Sequence, residues 1–208
     1  MELLQWGCSD PAQMSWLDQP PAVNLQAAKR LLRMLGALDG ERLSAQGQKM
    51  AALGNDPRLA AMLVSAKSDD EAATAAKIAA ILEEPPRMGN SDLGVAFSRN
   101  QPAWQQRSQQ LLKRLNVRGG EADSSLIAPL LAGAYADRIA RRRGQDGRYQ
   151  LANGMGAMLD ADDALSRHEW LIAPLLLQGS ASPDARILLA LPVDIDELVP
   201  VSYTHLTL

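Results

Sequence analysis

The sequence predicts a mainly α-helical protein that ends in a partial small β-barrel. Only 4% of the residues are aromatic, and Ala, Leu and Met supply most of the apolar content, which favours packed helices. Amphipathic runs preceded by capping residues recur up to about residue 140. After Gly144 the pattern changes to short β-type runs separated by turns. We therefore predict three domains, at 1–54, 55–140 and 141–199, followed by a tail at 200–208.

The first domain is predicted from a helix followed by a hairpin. Apolar and basic residues alternate with helical spacing from Leu25 to Gly36, which predicts a two-faced helix with Asn24 as its N-cap. Asp39-Gly40 suits a tight turn, and the short runs on both sides predict a two-stranded wing. A helix followed by a wing is half of a winged-helix fold.

Capping residues mark the helix starts of the second domain. Asp56-Pro57 predicts one start, because Asp accepts bonds from free N–H groups and Pro has no N–H to leave unpaired. Ser68 to Glu71 has the pattern of a capping box and predicts an Ala-rich helix to about Glu83. Further helices are predicted from Asn90 to Phe97, from Pro102 onward, and from Glu121 to Ala136 with a kink at Pro129.

The third domain is predicted to be a partial barrel of oligonucleotide-binding (OB) type. Its runs are short, rich in apolar residues and separated by turns such as Asn153-Gly154. We expect an unpaired strand edge, because the runs suffice for only part of a barrel. The predicted elements are strands at 148–152, 156–159, 169–173 and 186–191, and a short acidic helix at 194–199.

A basic segment lies within an acidic chain. The net charge is −3, yet residues 107–148 hold nine Lys or Arg against four acids, so the remainder carries −8. Such a segment is typical of a nucleic-acid contact surface, although a solvated helix face or cations at a helix C-terminus would look the same. The candidate nucleic-acid-binding residues are Arg138, Arg141, Arg142, Arg143, Arg148 and Tyr149. Tyr149 would stack a base if exposed, but strand alternation also allows a buried tyrosine.

Two ordered motif series resemble DEAH/RHA-type superfamily-two helicases, most closely the HrpB type. The first reads Leu-x-x-Leu-Gly-Ala-Leu-Asp, Leu-Ser-x-x-Gly-x-x-Met-Ala-x-Leu and Asp-Pro-x-Leu-Ala-x-Met-Leu over residues 32–63. The second, over residues 137–157, reads Asp-Arg-Ile-Ala-Arg-Arg-Arg and then Tyr-x-Leu-Ala-Asn-Gly-x-Gly-Ala. The resemblance covers residues 1–199. Residues 200–208 depart from it, and we interpret them as a foreign tail.

The resemblance implies a place and a role for each predicted domain. It implies a winged helix, a helical ratchet bundle and a barrel entry beside the RNA path, all C-terminal to two RecA-like motor domains. The implied partners are single-stranded RNA or DNA and, within the same polypeptide, the motor domains. ATP and Mg²⁺ would bind to the motor domains. Independently of the resemblance, the single cysteine makes a cytoplasmic location the simplest interpretation.

Catalytic and metal-binding motifs are missing from the sequence itself. It contains no Gly-x-x-x-x-Gly-Lys-Ser/Thr loop for phosphates, and the single cysteine, Cys8, excludes an internal disulfide. Asp70-Glu71-Ala72-Ala73 lacks the histidine of a DEAH box and lies at a predicted helix cap. No apolar run is long enough to span a membrane. We therefore predict no catalytic, cofactor-binding or metal-binding residue and no membrane partner.

Two other classes of function remain open at this stage. A free-standing winged-helix regulator would read duplex DNA with the basic face of the first helix, which carries Lys29, Arg30 and Arg33. A helical interaction module would need an exposed apolar or repeated surface, and the sequence shows no internal period.

We expect no RNA-stimulated ATP hydrolysis from the purified chain, because it has no phosphate-binding loop. Phosphate release measured with and without single-stranded RNA tests this. RNA-dependent turnover that co-elutes with the chain through successive purification steps would contradict it.

Overall fold

The computed structural model describes residues 1–8, 14–15, 18–54, 56–86, 91–144, 147–179 and 182–198. The chain divides into two compact units, Met1–Ser65 and Ala66–Leu208, and each is described by itself. Trp16 and the predicted tail at 200–208 lie outside the described residues. The predicted domain bounds at 1–54, 55–140 and 141–199 remain predictions.

The first unit consists of short helices around a small hairpin. Its elements are α1 (Glu2–Gln5), α2 (Ala22–Met34), β1 (Leu38–Asp39), β2 (Arg42–Leu43), α3 (Ala45–Leu53) and α4 (Pro57–Ser65).

Helix α2 begins earlier than the sequence predicted. It starts at Ala22 with Pro21 in the N-cap position, so Asn24 lies inside the first turn and the predicted cap is wrong. The side chain of Pro21 makes no capping hydrogen bond. Proline fixes φ near the value that leads into a helix, which explains how the helix starts without a polar cap.

The predicted hairpin is present, with its turn shifted by one residue. Leu38 pairs with Leu43 and Asp39 pairs with Arg42, which leaves Gly40 and Glu41 as the turn. Gly40 has a φ of 60°, a conformation that glycine adopts without steric cost.

Helix α3 packs against the hairpin through a glycine. Ser44 caps the helix, since its hydroxyl accepts from the Gly47 N–H at 2.9 Å, and its own N–H donates to the Ala37 carbonyl at 3.0 Å. Gly47 is buried so close to this carbonyl that an added Cβ would lie 2.0 Å from the oxygen. Any larger residue would therefore push the helix away from the hairpin.

The second unit contains a helical bundle and a barrel. Its helices are α5 (Asp69–Glu83), α6 (Leu93–Ser98), α7 (Pro102–Arg114), α8 (Ile127–Ala134) and α9 (Ile195–Leu198). Its strands are β3 (Ile139–Arg142), β4 (Arg148–Leu151), β5 (Gly156–Met158), β6 (Trp170–Leu177) and β7 (Ala185–Pro192).

Helix α5 forms the centre of the bundle and contacts α6, α7 and α8. It is buried on nearly all sides, and its many alanines let the neighbouring helices approach closely. The Ser68 hydroxyl caps its start by accepting from the Glu71 N–H at 3.1 Å, as the sequence predicted. The buried indole of Trp104 on α7 donates to the Glu84 carbonyl at 2.9 Å, which ties α7 to the end of α5.

The predicted helix at 121–136 is shorter than expected. A 3-10 turn at Ser124–Leu126 precedes α8, so Pro129 lies in the first turn of α8. Proline is tolerated there because first-turn N–H groups have no partner within the helix, and the predicted kink is wrong.

The strands form a closed barrel in the order β3-β4-β5-β7-β6, whereas the sequence predicted an incomplete barrel with an unpaired edge. The strand that closes it, β3, is not among the strands that the sequence predicted. It pairs antiparallel with β4 on one side and with β6 on the other. The β5–β7 pair is parallel, and the other pairs are antiparallel.

The barrel is attached to the bundle at the start of α6. Ala190 on β7 donates its N–H to the Ser91 carbonyl at 2.7 Å, and Asp92, the N-cap of α6, forms a parallel bridge with Ala190. The Ser91 hydroxyl also donates to the Asp163 carboxylate. These bonds join the two parts of the second unit through backbone as well as side chains.

We expect Gly47→Ala to destabilise the protein by about 1–3 kcal/mol, because its methyl group would overlap the Ala37 carbonyl. Gly133→Ala is the matched control, since Gly133 also lies in a helix but an added Cβ there meets nothing within 4 Å. It should stabilise by up to ~1 kcal/mol. Urea unfolding of both variants tests this, and an unchanged stability of Gly47→Ala would contradict the packing described.

Candidate nucleic-acid interface

The end of β3 carries the densest part of the basic cluster. Ile139 and Ala140 are buried in the barrel, whereas Arg141 and Arg142 are exposed. Arg143 follows, and its N–H donates to the Arg148 carbonyl at 2.8 Å. The end of β3 and the start of β4 therefore remain paired next to the turn that connects them. The arginines therefore lie on a strand and its turn rather than at a helix C-terminus, and the helix-end explanation of the cluster is wrong for Arg141 to Arg143.

Arg141, Arg142 and Arg143 line one open groove on the barrel. Its volume is about 480 Å³. The residues that complete the lining are Gly144, Gln150 and Glu169. Three consecutive arginines thus border a single depression whose lining also includes an amide and a carboxylate residue.

Arg141 lies in a row of side chains on the outer face of the barrel. It pairs with Gln150 on β4 and with Trp170 on β6, and directly opposed residues share one face of a sheet. Its guanidinium carbon lies 5.3 Å from the centre of the Trp170 ring, a cation–π distance. Glu169 approaches it at 3.5 Å, but both side chains are largely exposed, so this ion pair contributes little.

Arg142 is held by backbone on both sides. Its Nη1 donates to the Arg167 carbonyl at 3.0 Å, and its N–H donates to the Glu169 carbonyl at 2.8 Å. A carbonyl cannot neutralise a guanidinium, so the positive charge of Arg142 remains in the groove.

Arg143 and Arg148 share one carboxylate. Asp184, whose side chain is only 12% exposed, lies 3.8 Å from each of them through its two oxygens. The carboxylate rests on Gly156, where an added Cβ would lie 1.8 Å from Oδ1. The glycine leaves the space that this shared ion pair occupies.

Arg138 belongs to a different environment. Its side chain is half-buried, its Nη1 donates to the Pro174 carbonyl at 2.6 Å, and its guanidinium lies 5.8 Å from the centre of the Tyr135 ring. It does not line the groove. The predicted set of five arginines is therefore brought together only in part.

Tyr149 is buried in the barrel core, so the structure contradicts its predicted stacking role and supports the buried alternative. Its hydroxyl oxygen lies 2.8 and 2.9 Å from the carbonyl oxygens of Leu165 and His168, which share its single hydrogen. Its side chain is fully covered, and burial raises the pKa of Tyr149 to about 12. The positive charge of Arg142 lowers this pKa, and the negative charge of Asp163 raises it.

Sequence reasoning missed several residues of the interface. Strand alternation would have identified Gln150, because it is two residues from the exposed Arg148 on the same strand. No local signal identifies Glu169, Trp170 or Asp184, because their positions beside the arginines depend on the pairing of distant strands.

The described ranges contain neither a metal-binding cluster nor a membrane-spanning helix. Within them, no group of three or more His, Cys, Asp or Glu is arranged to hold a metal ion. No helix in the same ranges is both long and apolar enough to cross a bilayer.

Comparison with known proteins finds a nearly identical sequence within a longer protein. No protein-family model matches the chain. The ATP-dependent RNA helicase HrpB of Escherichia coli K12 is 96% identical to it over 199 residues, which cover 96% of this chain and 25% of the helicase. The resemblance to HrpB-type helicases is confirmed.

Solved structures of HrpB have the same fold over the matching region. A crystal structure of the E. coli DExH-box NTPase HrpB gives a TM-score of 0.92 at 95% identity and covers 96% of this chain. A crystal structure of the E. coli DEAH/RHA helicase HrpB gives 0.88 at 89% identity and covers 93%. The chain spans about a quarter of the length of these relatives, so it corresponds to one region of an HrpB-type sequence.

We expect Tyr149 to make stability fall at alkaline pH. Its folded pKa of about 12 lies above the ordinary tyrosine value of 10.0, so the contribution of its neutral hydroxyl is fully present below pH 10 and is lost as pH rises toward 12. Tyr149→Phe should cost about 1–3 kcal/mol near neutral pH, because it leaves two carbonyls without their donor.

The measurement is urea unfolding of both proteins at a series of pH values. The stability difference between the wild type and Tyr149→Phe should narrow as pH rises above 10, because only the wild type loses this contribution. A constant difference across the series would mean that Tyr149 ionises equally in the folded and unfolded states.

Proposed function

We propose that this chain is the nucleic-acid-contacting accessory region of an HrpB-type ATP-dependent RNA helicase. The observation that carries the proposal is the groove that Arg141, Arg142 and Arg143 all line. Guanidinium groups bind phosphate oxygens through several donors at once, and such contacts do not depend on the base sequence. The groove therefore holds the backbone of single-stranded RNA, or of DNA, without reading its sequence.

The architecture of the barrel supports this assignment. We propose that it is of OB type, since OB barrels have five strands and bind single strands across an open face. Arg148 on β4 shares Asp184 with Arg143, which lines the groove, and so extends the positive surface by one strand. Arg138 and Tyr149 take no part in the proposed contact, because each is already engaged within the fold.

The helical part of the second unit would act as the ratchet bundle. Since Ser91 bonds to both Ala190 and Asp163, a displacement of α6 moves the barrel as well. In the proposed mechanism, closure of the RecA-like motor domains moves the bundle, and the barrel carries the strand with it. The motor domains would supply the ATP and Mg²⁺ sites, and the location would be cytoplasmic.

The first unit would be the winged helix of the helicase. A free-standing DNA-binding regulator is the alternative, and the charge distribution of α2 weighs against it. Lys29 and Arg33 both donate to Glu41 in the turn of the hairpin, Arg33 at 2.8 Å. The hydrogen bond from Lys29 is the main cause that lowers the pKa of Glu41, so this carboxylate stays ionised. Two of the three basic residues of α2 are thus paired with an acid of the wing.

We expect the triple variant Arg141→Gln, Arg142→Gln, Arg143→Gln to bind single-stranded RNA more weakly and with less salt dependence. Loss of three phosphate contacts should reduce the slope of log K against log salt by about 2, since each contact on a single strand contributes ~0.7. Fluorescence anisotropy of a labelled oligonucleotide over a salt series measures both quantities.

The matched control removes the same charge elsewhere in the second unit. Arg99, Lys113 and Arg118 are exposed and lie outside the groove, so their replacement by Gln should leave the slope close to that of the wild type. Circular dichroism verifies that both variants are folded. Equal slopes for the two triple variants would reject the groove as the contact surface.

A further inference from the structure

We propose that Trp170 is a base-stacking residue, which together with Gln150 makes the groove selective for unpaired nucleotides. This inference rests on the proposed function, because it concerns the same groove. It adds a second type of contact, to the base rather than to the phosphate, and thereby specifies single-stranded over duplex nucleic acid.

The register of three strands supports the inference. Arg141 on β3 is opposed by Gln150 on β4 and by Trp170 on β6, so all three side chains form one row on the outer face of the barrel. Glu169, which lines the groove, directly precedes Trp170. Tryptophan, amide and guanidinium thus lie at one edge of the phosphate-binding groove.

The environment of Trp170 differs from that of a core aromatic residue. Trp104 and Tyr149 are at most 2% exposed, whereas Trp170 is partly exposed at the start of β6. Part of its ring is covered by Arg141, whose guanidinium carbon lies 5.3 Å from the ring centre. A side chain therefore covers part of the ring, and a side chain can move.

The chemistry of the row fits one unpaired nucleotide. A base stacks on an indole whatever its identity, and this contact requires a base that is not paired within a helix. Arg141 binds the adjoining phosphate and stays close to the ring, so stacking and phosphate binding occur together. The amide of Gln150 offers both a donor and an acceptor to the edge of the stacked base.

The test compares two strands that differ only in their bases. One is an oligothymidylate, and the other is an oligomer of abasic sites with the same number of phosphates. We expect the wild-type chain to bind the oligothymidylate roughly 5- to 150-fold more tightly, the range that corresponds to one stacked base. Trp170→Leu should bind both strands alike, and Trp170→Phe should retain most of the preference because it keeps an aromatic face.

Two further measurements distinguish loss of base stacking from a general effect of the substitution on the fold. The oligothymidylate should quench the tryptophan fluorescence of the wild type, and Trp170→Phe should remove that quenching. Trp6→Leu is the matched control, since Trp6 is 75% exposed and lies in the other unit, so both the preference and the quenching should persist. The quenching test uses the conservative variant Trp170→Phe, so it tests the inference even if Trp170→Leu does not fold.

The outcomes distinguish this inference from the proposed function. If both strands bind the wild type equally well, phosphate binding stands and the stacking inference is wrong. Persistence of the base preference in folded Trp170→Leu also overturns it. If neither strand binds, both proposals fail.

Discussion

The pairing of β3 with both β4 and β6 is the constraint on which the groove depends. Ala140 is opposed by Leu151 on one side and by Leu171 on the other, and all three side chains are buried in the barrel core. A shift of one residue would turn Ala140 outward and drive Arg141 into this core, where an unpaired charge is costly. The apolar half of β3 therefore fixes the side on which its basic half emerges.

Local signals in the sequence predicted some of the helix starts. Asp56 and Ser68 cap the helices that they were expected to cap, because a cap depends on only three or four neighbouring residues. Strand β3 could not be found in this way. Its run of two apolar and two basic residues is too short to show a period, and its conformation depends on Trp170 and Leu171, about thirty residues further along.

The candidate site shows the same limit. The composition correctly indicated a basic segment, but it could not show that the arginines have different partners. The structure gives Arg138 a carbonyl of β6, Arg141 the ring of Trp170, and Arg148 a share of Asp184. Each of these partners lies more than 25 residues away in sequence. The number of positive charges can be counted from the sequence. Which of them already have a partner within the protein depends on the tertiary fold.

The position of Asp184 over Gly156 has a consequence for how tightly a strand can be held. A phosphate that approaches Arg143 and Arg148 meets two cations that already share an internal carboxylate, so binding there is an exchange of one anion for another. The net gain is the difference between the two interactions, so it is smaller than the phosphate contact would give without Asp184. Such a contact forms and breaks at low energetic cost, and this suits a surface along which a strand slides rather than one on which it is anchored.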